Sequence, residues 1–382
     1  VYFQFSFIYA LTVKKASLLL KIYLDKNYED FLKKDISIYI KQITRDIEHV
    51  FAGIFGLIIS IIGDIFYIGV LLFFSLSIID IGFNLNILFL FIGFAFLINF
   101  LFSVSKKLGE VRGITEQNTF KFLSDTLRIF KEIKIQKKTN NFIDRFFSTF
   151  NEFFHTRVKQ GIINLMPKFS LELLFLLIFF IFFTTDGLAI DKFILKYSVF
   201  AIAILRLIPT IARLTSNFSQ IVYNLKSIEF IRKDIERKKI NYVNKKNKKT
   251  KTDNLILKKI RHKFYNLKEG TSFEIFKNFS YKFKKGKIYG IYGPSGSGKS
   301  TLLNIISGLV KPNSGKVFIN NKEIKSVDIS SLINLSFASQ DNVILDDNIL
   351  VNITLDFNHN AKEIRNIKSL LKYFNLKKFI NK

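Results

Sequence analysis

Four long apolar stretches constrain the fold of this chain more than any other feature of its sequence. A helix needs about 20 mostly apolar residues to cross a bilayer, and each stretch approaches or exceeds that length. Within lipid, only helices and closed barrels satisfy every backbone polar group. The sequence therefore predicts an α-helical membrane domain with spans at residues 51–79, 83–104, 169–185 and 193–211.

The segments between these spans predict the orientation of the membrane domain. A partial span is predicted at residues 1–13, and the charged segments 14–48 and 105–168 follow a helical pattern with Lys and Arg near the span ends. Positively charged loops remain on the cytoplasmic side, so both segments are predicted to be cytoplasmic and to contain helices that extend well beyond the bilayer. The short loops 80–86 and 186–192 are predicted to lie outside.

Composition narrows the class of protein further. The 382 residues carry a formal net charge of +28, but no basic patch is interleaved with stacking aromatic residues outside the apolar stretches. We therefore predict no nucleic-acid partner, and Lys-rich codon usage accounts for much of the charge. Cysteine is absent, which excludes disulfides, thiolate metal sites and a cysteine nucleophile within this sequence.

A glycine-rich stretch follows an apolar run at residues 288–292. It matches the phosphate-loop pattern G-x-x-x-x-G-K-[ST] without a mismatch and consists of Gly293, Pro294, Ser295, Gly296, Ser297, Gly298, Lys299, Ser300 and Thr301. The apolar run predicts a strand and residues 301–306 predict a helix, which is the context that the pattern requires.

The residue types of this loop indicate phosphate binding. Glycines let backbone N–H groups surround phosphate oxygens, and the helix N-terminus adds its positive dipole end. Lys299 is predicted to reach the β- and γ-phosphates, and the Ser300 hydroxyl to ligate Mg²⁺. A turn without function explains neither Lys299 nor the flanking elements.

The pattern of the chain changes after a basic linker. We predict a membrane domain at residues 1–231, the linker at 232–254 and an α/β nucleotide-binding domain at 255–382. Within the last domain, helices are predicted after Ser300 and near residues 361–374. Strands are predicted at residues 255–257, 260–265, 279–283, 287–292, 316–319 and 332–338.

With these parts in this order, the chain resembles an ATP-binding-cassette (ABC) exporter half-transporter. Residues 307–320 resemble the family's stretch after the first helix, where Pro312 and Gly315 make a turn into a strand. Residues 337–341 and 346–353 are similar to the glutamine loop and the segment after it. The resemblance implies an exporter-type α-helical transmembrane domain followed by an α/β P-loop domain that is incomplete at its C-terminus.

The resemblance also implies roles for particular residues. ATP and Mg²⁺ are the expected cofactors, and Gln340 is expected to ligate Mg²⁺, sense the γ-phosphate and serve catalysis. Tyr265 is expected to stack on adenine, although the adjacent Phe264 is also a candidate and both rings could instead belong to the core. Residues 27–32 and 125–135 are expected to be the cytoplasmic coupling segments.

The expected partners are a second half-transporter subunit in a homodimer, membrane lipid and a transported substrate. Residues 205–210, together with the segment at 132–134, resemble the exporter branch that flips lipid-linked oligosaccharides. Export of peptides, drugs or other lipids is the alternative. The expected location is a bacterial plasma membrane, with the nucleotide-binding domain in the cytoplasm.

Residues 341–382 contain neither a Ser-Gly-Gly signature nor a strand ending in Asp-Glu, both of which the family's catalytic site requires. None of the four histidines, His49, His155, His262 and His359, is placed to act as the switch histidine. We therefore expect a fragment truncated at both ends that binds nucleotide without useful hydrolysis. A nucleotide-binding relic without turnover is the alternative to an exporter.

Charged residues inside the spans require a reason, because each costs roughly 2.5–3.5 kcal/mol at mid-bilayer. Arg206 and Arg213 are two helical turns apart and are predicted to share a face that meets an anionic head group. The alternative is that the side chains reach the cytoplasmic interface, most readily for Arg213. Asp64 is interpreted in the same way, or as the partner of a buried Lys or Arg.

Overall fold

The computed structural model divides the chain into two compact units, Val1–Asn244 and Lys245–Lys382, and each is described by itself. The division falls between residues 232 and 254, the range of the predicted linker. The structure describes residues 2–76, 85–186, 190–236, 253–266, 271–324, 329, 335–338 and 343–376.

The described part of the first unit is helical. Its elements, in chain order, are α1 (Tyr2–Leu24), α2 (Tyr28–Leu32), α3 (Ile36–Lys41), two π-helical segments (Gln42–Asp46 and His49–Phe55), α4 (Gly56–Leu76), α5 (Leu85–Arg128), α6 (Phe130–Ile135), α7 (Thr139–Asp186) and α8 (Ile190–Glu236).

Three of these helices are much longer than a bilayer is thick. Helices α5, α7 and α8 have 44, 48 and 47 residues. At 1.5 Å rise per residue they extend for about 65–72 Å, more than twice the roughly 30 Å of the hydrocarbon core. This confirms the prediction of helices that continue well beyond the predicted spans.

Within the described residues, three helical stretches are long and apolar enough to cross a membrane: Ile36–Leu71, Ile92–Arg128 and Thr139–Ile181. They overlap the first three predicted spans. The fourth predicted span, 193–211, lies in α8, where most of its side chains fall outside the description. Helix α1 covers the predicted partial span but is not among the three.

Helix α8 packs against α5 through unusually close backbone contact. A Cβ atom at Gly109 would lie 2.9 Å from the carbonyl carbon of Tyr223, and one at Gly113 would lie 2.8 Å from Cγ of Lys226. One turn earlier, the hydroxyls of Ser105 and Ser219 are 2.6 Å apart. Small residues four apart on α5 therefore set the distance between the two helices.

The second unit contains a four-stranded antiparallel sheet of order β2-β1-β3-β4. Its strands are β1 (Asn254–Asn266), β2 (Thr271–Lys284), β3 (Ser314–Ile319) and β4 (Lys322–Ile324). The strands predicted at 255–257, 260–265, 279–283 and 316–319 all fall within them. Helices α9 (Lys299–Ile306), α10 (Ile349–Thr354) and α11 (Ala361–Tyr373) accompany the sheet.

The prediction of a strand at residues 287–292 is wrong. The chain there has no regular structure, and the side chains of Ile288 and Tyr292 are almost fully exposed. An apolar run becomes a strand only when neighbouring strands supply its ladder hydrogen bonds, and no described strand pairs with it. Residues 335–338 likewise form no strand, while 332–334 lie outside the description.

Candidate nucleotide-binding site

The predicted phosphate loop leads directly into α9. Gly298 occupies the N-cap position of that helix with φ of 92°, and Gly296 has φ of 80°. Both lie in the left-handed region that residues with a Cβ avoid. A Cβ at Gly298 would in addition press on Ile275 and Phe276 of β2, so glycine is required at this position for two separate reasons.

The ammonium group of Lys299 lies across the loop. Its Nζ donates hydrogen bonds of 2.8 Å to the carbonyl oxygens of both Gly293 and Pro294. The loop therefore curves around a single positive charge. These two carbonyls are exposed, so phosphate oxygens can replace them as stronger, charged acceptors for the same donor.

The first turn of α9 supplies further donors. The first intrahelical hydrogen bond of α9 runs from the Leu302 N–H to the Gly298 carbonyl at 2.8 Å. The backbone N–H groups of Lys299, Ser300 and Thr301 precede it. Amides in the first turn of a helix have no carbonyl within the helix to bind, and the dipole favours an anion there. Ser300 is exposed at the same end, where its hydroxyl is accessible to a metal ion.

Apolar packing holds this helix terminus in place. Leu302 and Ile305 project from α9 into a core that includes Leu257 and Ile260 of β1 and Val317 of β3. Ile305 and Ile260 are completely buried. Because a packed core resists displacement, the loop is mounted on a rigid support, as a site for an anion requires.

The structure brings together the predicted residues of the loop, from Gly293 to Thr301, while two more distant predicted side chains fall outside the part that it describes. Tyr265 lies in β1 opposite Ser272 of β2, and its side chain is outside the described part. Gln340 lies outside the described residues altogether. The adenine-stacking and Mg²⁺-ligating roles of these two residues, and the Mg²⁺ role of Ser300, stay predictions.

Sequence reasoning missed the support that β2 gives to the loop. Phe276 lies against Gly298 and also packs on the core beneath α9. The aromatic residues of β2 alternate only from Phe279 to Phe283, so this pattern gave no signal for Phe276. His262 of β1, considered above only as a switch histidine, is buried, and burial lowers the pKa of its imidazole.

In the first unit, the structure pairs two of the charged residues predicted to lie in or beside the membrane. Nε of Arg213 donates to the two carboxylate oxygens of Asp64 at 3.0 and 3.1 Å, and Nη2 of Arg213 donates to Oδ1 of Asp64 as well. Asp64 is buried. The interpretation of Asp64 as the partner of a basic residue is therefore confirmed, but that residue, Arg213, is exposed rather than buried. For Arg213, whose side chain is 55% exposed, the contact with a head group stays a prediction beside this ion pair. Arg206 is exposed.

The fold of this chain matches that of a solved structure of known class. The chain superimposes on the structure of a bacterial Atm1-family ABC exporter with ATP bound, with a TM-score of 0.78 over 99% of this chain and 66% of that one, at 18% identity. The chain has the ABC exporter fold: a helical domain with candidate membrane spans, followed by a nucleotide-binding domain that contains a sheet.

Residues 276–382 match the ABC transporter family. A protein of Mycoplasma pneumoniae described as an ABC transporter ATP-binding protein is 39% identical over 85 residues, 22% of this chain and 13% of that protein. The lipoprotein-releasing system ATP-binding protein LolD of Buchnera aphidicola is 37% identical over 142 residues, 34% of this chain and 61% of that protein. The chain thus spans less than two thirds of these relatives.

Proposed function

We propose that this chain is part of a half-transporter that uses ATP to export or flip an amphipathic substrate across a membrane. The observation that carries the proposal is the loop at residues 293–301. Its lysine is held inside the curve and its last glycine caps a helix, on the same chain as long apolar helices. The residues expected to hold ATP are those of the loop, with Mg²⁺ on Ser300 and Gln340.

The proposal includes a mechanism of alternating access. ATP bound between two nucleotide-binding domains closes them, and the segments at 27–32 and 125–135 transmit that closure to the membrane helices. In this proposal the functional unit is a homodimer. The nucleotide-binding domain faces the cytoplasm, because the charged segments 14–48 and 105–168 carry Lys and Arg next to the spans.

The proposed substrate class is a lipid-linked or other amphipathic molecule with an anionic head group. Arg206 supports this part of the proposal, because a guanidinium within the predicted span 193–211 is costly in lipid and an anionic partner would offset that cost. Lipid-linked oligosaccharide is the favoured example, on the resemblance of residues 205–210. A peptide, a drug or another lipid remains the second candidate.

Nucleotide binding by the purified chain tests the proposal directly. Lys299→Ala is expected to weaken binding of a fluorescent ATP analogue at least tenfold, since hydrogen bonds to charged groups contribute about 1.5–3 kcal/mol. Lys316→Ala is the matched control, because Lys316 is an exposed lysine of the same unit that pairs with Glu323 instead. Equal affinity of the parent chain and Lys299→Ala would contradict the proposed site.

A further inference from the structure

The C-terminal end of α8 is held by one buried carboxylate. The side chain of Asp234 has no exposed surface, and Nζ of Lys34 lies 2.7 Å from both of its oxygens. Nζ of Lys26 lies 3.2 Å from Oδ1, and the hydroxyl of Tyr23 lies 3.2 Å from Oδ2. Three side chains from the N-terminal part of the chain therefore converge on one residue of the last helix.

The charges in this cluster favour an ionised Asp234. Burial alone raises the pKa of a carboxyl group, but the hydrogen bonds and charges of Lys34 and Lys26 outweigh it and lower the pKa of Asp234. The Tyr23 hydroxyl lies 2.8 Å from Oε1 of Gln42 and 3.2 Å from Oδ2 of Asp234, so its single proton is shared between two acceptors. Removing a partner would leave a buried charge uncompensated, which is strongly destabilising.

An aromatic stack extends the cluster to the short helix α2. The ring of Phe31, in α2, stacks on Tyr39 with centroids 4.8 Å apart and an interplanar angle of 3°. The Tyr39 hydroxyl donates to the Phe31 carbonyl at 3.0 Å, and Tyr23 packs edge-on against Tyr39 at 4.7 Å. The Lys26 ammonium lies 4.6 Å from the Tyr23 ring centroid and 5.0 Å from that of Tyr39. Helix α2 is thus connected to Asp234 through continuous contacts.

The other ion pairs at α2 and in the last turn of α8 lack this burial. Lys33 pairs with Asp30 on α2, and Arg232 pairs with Glu236 on α8, but the side chains of all four are about half exposed or more. Exposed pairs contribute about 0–1 kcal/mol and hold geometry poorly. The buried carboxylate therefore adds a charged anchor to the apolar cluster of Phe31, Tyr39 and Ile231, which also joins α2 to α8.

We propose that Asp234 is a positioning residue that holds α2 and the C-terminal end of α8 together as one body. Helix α2 lies within residues 27–32, the predicted first coupling segment, and α8 ends two residues after Asp234, where the chain continues toward the second unit. This inference rests on the proposed function in one respect. If ATP binding displaces α2, the contact with Asp234 moves the end of α8, and with it the start of the linker.

The absence of cysteine makes a distance measurement straightforward. Spin labels at Glu29→Cys and Arg232→Cys, both exposed positions, report the separation of α2 from the end of α8 by pulsed electron paramagnetic resonance. In the full chain in lipid nanodiscs we expect one narrow distance population. Asp234→Asn, which keeps the shape and removes the charge, is expected to lose it. Asp30→Asn, which removes a carboxylate from an exposed pair, is the matched control and is expected to keep it.

Two further variants guard against a simple folding defect. Lys34→Met leaves the Lys26 pair in place and is expected to broaden the distance population, while Asp234→Glu is expected to restore the narrow one. A narrow population in both Asp234→Asn and Lys34→Met, or no recovery in Asp234→Glu, would overturn the proposal. Binding of the fluorescent ATP analogue, measured on the same samples, tests the proposed function separately. Failure to bind the analogue would contradict the proposed function, while the distance between α2 and α8 would still test the role of Asp234.

Discussion

At the scale of single residues, the side chains of this protein act through the charges that surround them. Lys299 is a half-buried lysine whose ammonium lies against carbonyl oxygens, which phosphate oxygens replace in our proposal. Arg213 and Asp64 neutralise each other in the first unit. Arg206 is the basic residue of α8 for which we propose an anionic ligand, so the two arginines of the predicted shared face differ in role.

The Asp64–Arg213 pair is expected to contribute to stability as a unit. Asp64→Asn leaves the guanidinium without its charge partner, and Arg213→Gln leaves a buried carboxylate, so each single change costs more than a surface substitution. A double-mutant cycle on thermal unfolding in detergent should give a coupling energy of about 0.5–3 kcal/mol. If the changes in the free energy of unfolding of the two single variants add up to that of the double variant, the ion pair contributes no coupling energy and the prediction is wrong.

Arg206 is expected to affect transport without affecting nucleotide binding. Arg206→Ala should reduce translocation of a fluorescent lipid with an anionic head group in reconstituted vesicles, because an anion in a low-dielectric cavity needs a cationic partner. Lys168→Ala, which removes an exposed lysine of α7, is the matched control. Unchanged translocation by Arg206→Ala would remove the reason for proposing an anionic substrate.

At the scale of elements, α5 and α8 pack closely because α5 carries glycine at the points of contact. Gly109 and Gly113 of α5 allow α8 to approach closely, and Arg112 between them is buried against Asn224 and Ser227. The same helix face thus combines close backbone contact with polar contacts. Such an interface tolerates little added volume, because interiors are packed to crystal-like density.

Gly109→Ala is therefore expected to destabilise the first unit, by about 1–3 kcal/mol for an overpacked site. Its Cβ would collide with the backbone of Tyr223, which cannot move without moving α8. Gly161→Ala on α7 is the matched control, since a Cβ there meets nothing within 4 Å and alanine is the better helix former. Thermal unfolding in detergent should separate the two; equal midpoints would contradict the close crossing.

At the scale of the whole molecule, the chain combines a helical domain with candidate spans and a nucleotide-binding domain in the ABC exporter fold. Our proposal requires the second domain to bind ATP and the first to respond. Binding and turnover place different demands on the protein. In our proposal the loop at 293–301 holds the phosphates, whereas hydrolysis in the resembled family also needs residues from an Asp-Glu strand end and a Ser-Gly-Gly signature.

We propose that the polypeptide of residues 1–382 binds ATP without appreciable turnover. Neither a Ser-Gly-Gly sequence nor an Asp-Glu pair occurs in residues 341–382, so the residues that position the attacking water in the resembled family have no counterpart there. Phosphate release by the purified polypeptide, with Lys299→Ala as the background, measures this. Release that exceeds the background and disappears in Lys299→Ala would show that the polypeptide is itself an ATPase.

The sequence by itself determined the features that depend on neighbouring residues. Apolar length predicted the membrane-type helices, and the spacing of Gly, Lys and Ser predicted the loop that caps α9, because both follow from local backbone chemistry. The helix near residues 361–374 was also predicted, and the structure shows it capped by Asn360 and Glu363.

Only the tertiary structure decided which distant residues meet. The ion pair of Asp64 with Arg213 joins positions 149 residues apart, and Asp234 meets Lys34 across 200 residues. Residues 288–292 have the composition of a strand but have no described neighbour to pair with. Ion pairing and strand pairing depend on separations that folding creates, so no local pattern of residues specifies them.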